Sequence, residues 1–206
     1  MPVYRASNPN KALVAKKVHE KSNELGILEF PNTIDPKSKH VILLLDSFRT
    51  RSTSWVILPE LSSVTDFLDS PPDELSDEVA QLCWGLIDSL AYLHKHCIAH
   101  RHIQPDNLLV DHNLCLKIID FDIAMKVKDE NEKVDDQCGT EHWIAPEVEK
   151  RSTMYSPIKA DRWSCGHVLQ HFLDKLQKWD ELFIAIAEQL KAQDPNERPS
   201  LLELHN

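Results

Sequence analysis

The side chains best suited to chemistry lie in one polar run and in a short acidic motif that follows it. The run His-Arg-His-Ile-Gln-Pro-Asp-Asn occupies residues 100–107, and Asp-Phe-Asp follows at 120–122. Asn107 and Asp120 offer hard oxygen ligands of the type that magnesium requires, and the imidazole of His102 can accept a proton near neutral pH. A structural alternative stays open, in which the amide satisfies loop backbone and the aspartate caps a turn.

Composition restricts the class of protein that can carry these groups. The chain has 206 residues and a net charge of −10, which allows one substantial core or two small lobes that share one. A surface of that sign repels nucleic acid and anionic lipid, so we expect neither as a main partner. The five cysteines form no CxxC pair, which favours a reducing compartment. Without an apolar signal segment or an apolar stretch long enough to cross a bilayer, we expect a soluble intracellular protein, cytoplasmic or nuclear.

Hydrophobic patterning predicts which elements must position these residues. Apolar runs of strand length occupy 12–18, 41–45, 55–58, 108–110 and 116–119. The segment 46–54 is predicted to be a polar connection, and Ser22 or Asn23 is predicted to cap a short helix. Amphipathic or apolar stretches predict helices at 77–96, with Ser76 as N-cap, at 161–173 and at 180–192. Strands first and helices later predict an α+β fold with a small β-rich lobe and a mostly helical one.

Several motifs, in the right order, resemble those of the protein kinase superfamily. The resemblance rests on the catalytic loop H-R-D-x-K-P-x-N (100–107), D-F-G (120–122), the end of an activation segment (Gly139-Thr140 and Ala145-Pro146-Glu147), D-x-W-S-x-G (161–166) and the Arg that ends the fold (Arg198-Pro199). It implies a kinase-like bilobal fold over 1–206, with a reduced β-rich lobe over 1–60 and a compact helical lobe over 61–206.

The same resemblance implies roles for the residues of the loop. His102 stands at the position of the catalytic Asp, and Gln104 stands at that of the catalytic-loop Lys. Asn107 and Asp120 match the residues that hold magnesium against the phosphates of ATP, so ATP and Mg²⁺ are the implied cofactors. An imidazole has a different geometry from a carboxylate and would repel the metal once protonated, and a neutral amide cannot stabilise phosphoryl charge. Two such changes in one loop argue against efficient phosphoryl transfer.

Other matching residues are implied to be structural. Asp161 is expected to accept hydrogen bonds from the backbone of the catalytic loop near His100 and Arg101. Glu147 and Arg198 are expected to form a buried ion pair. These residues indicate the fold and say nothing about activity.

The activation segment lacks an obvious regulatory hydroxyl. Thr140 is the only hydroxyl side chain between Asp122 and Ala145, and the resemblance makes it a structural contact. Acidic residues crowd this segment, and in many kinases the residue at Arg101 grips a phosphorylated loop. We hypothesise that one of these carboxylates binds Arg101 permanently; a solvated acidic loop is the alternative. Asp122 replaces the Gly of D-F-G, which narrows the backbone options, and we expect its side chain to point to solvent rather than to a cation.

The first part of the chain carries the nucleotide-binding positions. Val14-Ala15-Lys16-Lys17 resembles V-A-I-K. Because alternation puts Ala15 and Lys17 on one face, Lys17 is predicted to contact phosphate, with Glu24 as its helix partner. Plain surface charge is the alternative for both.

The expected lid and hinge also depart from the family pattern. The residues before Lys11 contain no glycine, so a Gly-rich lid over the phosphates is expected to be missing. Leu58 and Glu60 lie in the predicted hinge that touches adenine, and Pro59 removes one amide donor there.

These features predict a pseudokinase, a binding or regulatory module with at most weak nucleotide binding and an unidentified protein partner. The rival is a residual Ser/Thr protein kinase that transfers the γ-phosphoryl of ATP to protein hydroxyls, with His102 as a poor base. A relative retained only as a stable fold is the third reading.

Overall fold

A small antiparallel sheet and one helix form the first part of the molecule. The computed structural model describes residues 3–8, 11–19, 22–34, 39, 41–51, 53–71, 78–150 and 154–204. The elements are β1 (Val3–Asn8), β2 (Lys11–Val18), α1 (Glu24–Ile34), β3 (Asp46–Arg49) and β4 (Ser54–Pro59). The four strands pair in the order β1-β2-β4-β3. The strands predicted at 12–18 and 55–58 are therefore confirmed.

Helix α1 begins where the capping signals predict. Ser22 Oγ accepts a hydrogen bond from Glu24 N at 2.9 Å, and Asn23 O accepts one from Ile27 N at 3.0 Å. Both predicted capping residues thus satisfy backbone donors of the first turn. The helix buries Glu24, Ile27 and Leu28 against the rest of the molecule.

The strand predicted at 41–45 is wrong, because the strand β3 lies one segment later, in the predicted connection 46–54. Within 41–45 only Val41 forms a bridge, to Ile118. Val41, Ile42 and Leu44 are buried in the core that joins the two halves, whereas Leu43 and Leu45 are exposed, and Leu45 N donates to Ile57 O at 2.9 Å. In β3, Phe48 lies opposite Trp55 with its ring stacked on the indole at 6.2 Å, and such aromatic cross-strand pairs stabilise a sheet.

The second part of the molecule is mostly helical. Its elements, in chain order, are β5 (Ser62–Ser63), α2 (Val64–Asp69), α3 (Glu78–Lys95), β6 (Ile98–Ala99), β7 (Leu108–Val110), β8 (Leu116–Ile118), β9 (Met125–Lys126), α4 (Pro146–Glu149), α5 (Pro157–Lys175) and α6 (Glu181–Leu190). The predicted helices and the two short strands are confirmed, and Ser76, the predicted N-cap of α3, lies outside the described residues. β5, β7 and β8 form one small sheet, and β6 pairs with β9.

One hydrophobic core joins the two parts. It includes Val18 and Leu28 from the first part and Leu86, Phe121 and Phe183 from the second. Helices α5 and α6 approach so closely that a Cβ at position 166 would lie 2.8 Å from Ala187 O. The glycine of the D-x-W-S-x-G-like motif is therefore required for this packing, and the predicted α+β architecture is confirmed.

Among the described helices, none combines the length and the apolar character needed to span a membrane.

Candidate active-site cleft

Asp161 of helix α5 anchors the loop that carries His102. Asp161 Oδ2 accepts a hydrogen bond from His100 N at 2.6 Å, and Oδ1 accepts one from Arg101 N at 2.7 Å. Arg101 adopts φ of 67°, a left-handed conformation that is costly for a residue with a Cβ and needs such support. The predicted role of Asp161 is confirmed. His94 Nε2 also lies 3.3 Å from Asp161 Oδ2, a contact that the sequence reasoning missed.

His100 is a fully buried, neutral part of this anchor. Its Nε2 lies 3.0 Å from Ile119 O, and its ring meets that of Phe121 edge-on at 4.9 Å. Its Nδ1 accepts a hydrogen bond from His102 N. Burial lowers the pKa of His100 to about 4, because an imidazolium loses its hydration there.

The predicted ion pair between α4 and the end of the fold is confirmed. Arg198 Nη1 lies 2.6 Å from Glu147 Oε1, and Nη2 lies 2.8 Å from Oε2. The guanidinium also donates to the carbonyl groups of Lys159 and Ala192. This fork geometry satisfies a buried charge without water.

Arg101 binds a carboxylate of the activation segment, as hypothesised. Its Nη2 lies 2.6 Å from Asp136 Oδ2. Tyr155 OH donates to Asp136 O at 2.9 Å and accepts from Arg101 Nη2 at 3.4 Å. Asp136 is therefore the acidic residue of the segment that binds Arg101.

His102 lies between Asp120 and Thr140. Its Nδ1 is 3.5 Å from Asp120 Oδ2, and its Nε2 is 2.9 Å from Thr140 Oγ1. Thr140 was expected to make a structural contact, and its hydroxyl makes one with the imidazole of His102. Gln104 is buried in the loop. Both nitrogen atoms of His102 face groups of the chain itself, so a substrate hydroxyl would have to displace Thr140 to reach the ring.

The lysine of the cleft is Lys16, and the prediction of Lys17 is wrong. Lys16 Nζ lies 2.5 Å from Glu24 Oε1 and 2.6 Å from Asp120 Oδ1, whereas Lys17 is exposed on the other face of β2. Pairing of Lys16 with Val56 on β4 sets this register. Strand alternation could identify two faces but could not tell which of them turns to α1. The predicted partner, Glu24, is correct.

The charged groups of the cleft change one another's pKa values. Burial opposes a charge on Lys16, but Glu24 and Asp120 outweigh it and raise the pKa of Lys16. Burial would also raise the pKa of Asp120, yet His102 and Lys16 hold it well below its ordinary range. Asp120 is thus ionised and, like Arg101, has a φ of 67°. Asn107 Nδ2 donates to His102 O at 2.8 Å. The amide thus satisfies a backbone carbonyl of the loop, and this bond does not use its oxygen atom.

Asp122 does not point to solvent, contrary to expectation. It lines the cleft beside Lys16 and Glu24. Asp122 Oδ1 and Glu24 Oε2 each expose less than 1 Å² and have no hydrogen-bond partner among the described residues. The side chain turns inward because the segment 120–122 packs against α1, where Phe121 N donates to Glu24 Oε1 at 3.3 Å.

The cleft encloses a cavity of about 440 Å³, a size typical of small-molecule sites. Its lining combines apolar with polar side chains. The apolar ones include Val14, Ile42, Leu58, Leu109 and Ile119, and the polar ones include Lys16, Asn107 and Asp120. Of the two predicted hinge residues, Leu58 lies in this lining. Glu60 is not among the described residues that line it, and its N–H donates to Ala12 O at 3.0 Å.

ATP and Mg²⁺ fit this cleft in part. Its apolar walls suit an adenine ring, Lys16 could meet a phosphate, and Asn107 and Asp120 could supply oxygen ligands to the metal that neutralises phosphate charge. The local charge balance opposes an anion, however, because Lys16 already binds Glu24 and Asp120, and Asp122 lines the same cleft. Phosphate binding here therefore requires a metal ion or the release of Lys16 from its partners.

The fold and this cleft define a protein of the protein kinase class. The protein kinase domain family matches residues 3–191, so the chain belongs to the protein kinase family. It is 40% identical over 149 residues to the serine/threonine-protein kinase grp of Drosophila melanogaster, covering 70% of this chain and 29% of that protein. It is 30% identical over 167 residues to the serine/threonine-protein kinase chk1 of Schizosaccharomyces pombe, covering 79% of this chain and 33% of that protein.

A third relative is the SNF1-like protein kinase ssp2 of Schizosaccharomyces pombe, 33% identical over 147 residues that cover 70% of this chain and 25% of that protein. The chain spans between 25% and 33% of the length of these three relatives. The predicted kinase-like fold is thus confirmed.

Proposed function

We propose that this chain is a pseudokinase, a kinase-fold binding and regulatory module with weak affinity for ATP and Mg²⁺ and without efficient phosphoryl transfer. The arrangement around His102 carries the proposal. At the position of the general base, a chain hydroxyl and a chain carboxylate hold an imidazole from both sides. A positioned general base contributes roughly 10²–10⁴-fold to the rate of such a reaction. Gln104 supplies no positive charge for the transferred group.

Two further features support weak nucleotide binding. In addition to its pair with Glu24, Lys16 Nζ lies 2.6 Å from Asp120 Oδ1, so a phosphate must compete with that carboxylate for the ammonium group. Asp122 adds a third negative charge to the same wall. The contact between Arg101 and Asp136 supports an activation segment that is ordered without phosphorylation.

A residual Ser/Thr protein kinase is the second candidate. The observation that favours it is the pair formed by Lys16 and Glu24, because active kinases require such a pair. Asn107 and Asp120 also remain available for magnesium. The relatives are named serine/threonine-protein kinases.

The partner of such a module is proposed to be a protein in the cytoplasm or nucleus. The net charge of −10 disfavours nucleic acid and anionic membranes as ligands.

Binding and transfer should be measured separately. Isothermal titration with ATP, with and without Mg²⁺, reports affinity, and transfer from radiolabelled ATP to a generic basic protein reports activity. Weak binding without transfer by the native chain is the expected result. The variant His102→Asp/Gln104→Lys should gain transfer by about 100-fold or more over background, the range that a restored general base provides.

The variant Asp120→Ala is the control, because it removes a metal ligand. Transfer by the native chain that Asp120→Ala abolishes would establish the residual kinase instead. Absence of ATP binding in both the native chain and the double variant would leave a scaffold that needs no nucleotide.

A further inference from the structure

The carboxylates around Lys16 are not balanced by the positive charge beside them. Glu24, Asp120 and Asp122 each offer an oxygen atom, and these atoms all lie within 4.8 Å of one another. Lys16 contributes a single positive charge. When the three acids are ionised, two positive charges are missing from a mostly buried cluster, and burying unpaired carboxylates is costly.

Two oxygen atoms locate this deficit. Lys16 Nζ and Phe121 N both bind Glu24 Oε1, which leaves Oε2 without a partner on a side chain that is only 1% exposed. Asp122 Oδ1 is also buried without a donor among the described residues. The carboxyl groups of Asp122 and Glu24 lie within hydrogen-bonding reach of each other, where two ionised acceptors need a positive charge between them. Buried acceptors of this kind normally have a partner. Two of them in one cluster indicate a positively charged group between the acids.

The donor set selects the chemistry of that group. All three side chains offer carboxylate oxygen, which suits hard cations such as Mg²⁺, Mn²⁺ and Ca²⁺ better than zinc or copper. A divalent ion would supply the two missing charges.

We propose that Glu24, Asp120 and Asp122 form a binding site for a hard divalent cation that fills without nucleotide, on the α1 side of the cleft. It differs from the position beside Asn107, where a metal would accompany phosphates. The residue that creates it is Asp122, which stands where the D-F-G motif has glycine. The cation would connect α1 to the segment 120–122 and stabilise the native chain.

The proposal is tested by metal binding in the absence of nucleotide. The melting temperature is followed against MgCl₂, MnCl₂ and CaCl₂ at constant ionic strength, and electron paramagnetic resonance counts bound Mn²⁺. The native chain is expected to bind one Mn²⁺ and to melt at a higher temperature in its presence. Asp122→Gly should weaken Mn²⁺ by about tenfold or more, since even partners of metal ligands contribute tenfold or more to affinity.

Three other variants make the test specific. Asn107→Ala should retain the ion, because the proposed ligands remain, and Asp135→Asn removes one exposed acid and controls for surface binding. Asp122→Asn keeps the size of the side chain in case the glycine variant does not fold. Equal Mn²⁺ affinity in the native chain and both Asp122 variants would overturn the proposal, as would loss of the ion in Asn107→Ala.

Absence of Mn²⁺ binding by the native chain would also overturn it and would leave a proton shared between Glu24 and Asp122. None of these results depends on ATP binding or phosphoryl transfer, so the pseudokinase proposal can fail or succeed separately.

Discussion

The anchor, meaning the contacts of Asp161 and His100 with the catalytic loop together with the Arg198–Glu147 pair, contains buried ionised groups, and so does the cleft beside it. The two regions differ in how these groups are satisfied. In the anchor, both carboxylate oxygens of Asp161 bind backbone N–H groups, and Arg198 forms two bonds to Glu147. In the cleft, Lys16 binds two carboxylates, those of Glu24 and Asp120, and Asp122 lines the same cleft as a third. Oxygen atoms of Glu24 and Asp122 have no hydrogen-bond donor among the described residues. The anchor supports the fold whether or not chemistry occurs, whereas the cleft needs an added cation to reach the same balance.

Breaking the anchor should give the largest effect. Arg198→Met leaves the carboxylate of Glu147 without its partner and is expected to lower the free energy of unfolding by about 3–5 kcal/mol, as in other broken buried pairs. Urea denaturation followed by circular dichroism measures it. The matched control is Lys175→Met, because Lys175 pairs with Asp69 on the surface and should contribute at most about 1 kcal/mol. Equal losses in the two variants would contradict a special role for the anchor.

Removing the single ammonium group of the cleft should cost somewhat less. Lys16→Met leaves three carboxylates together and is expected to lower the free energy of unfolding by about 3 kcal/mol, because the acids can relax or take up a proton. Lys17→Met, the adjacent exposed lysine, should change it by no more than about 0.5 kcal/mol. The two variants are compared by urea denaturation, and a larger loss in Lys17→Met would reverse the assignment of the strand face.

The neutral imidazole of the anchor should make stability depend on pH. His100 takes up a proton near pH 6.5 in the unfolded chain but only near pH 4 in the fold, so the fold binds fewer protons in this window. The contribution of His100 to stability is therefore complete above about pH 6.5 and falls by about 2–3 kcal/mol between pH 7.5 and 4.5, whereas Glu24, whose pKa the fold raises, contributes in the opposite direction over the same range. Urea titrations across this range measure the loss.

The variant His100→Gln isolates that contribution. His167 and His171, whose pKa values are also lowered by burial, titrate in both proteins and cancel in the difference. Parallel stability curves for the two proteins would contradict the assignment.

The smallest effect is expected at Asp136, the exposed carboxylate that binds Arg101. Asp136→Asn should weaken the contact with Arg101 and change global stability by less than about 1 kcal/mol, since Asp136 is 59% exposed. Hydrogen exchange in the segment 126–137 should nevertheless become faster. Asp135→Asn, its exposed neighbour, should leave exchange unchanged. If both variants behave alike, the segment is not held by Arg101.

Much of the anchor could be predicted, because its motifs are local and their order is diagnostic. Asp161, Glu147 and Arg198 make the expected contacts, and the strand β2 and the helix α1 lie where patterning and capping predict. The apolar run 41–45 was misleading, because Val41, Ile42 and Leu44 are buried in the core without forming a strand, and Leu43 and Leu45 are exposed. Hydrophobic length alone cannot distinguish these two ways of burying a segment.

The amino-acid sequence by itself determined the family, the order of its elements and the two replacements, His102 and Gln104, that question its reaction. Only the tertiary structure decided that Lys16 turns to the cleft, that Asp136 binds Arg101 and that Asp122 turns inward beside Glu24. The physical reason is the separation along the chain of the residues that make contact. Motifs and periodicity record neighbours along the chain, whereas these three outcomes depend on strand register and on packing between segments that are distant in sequence.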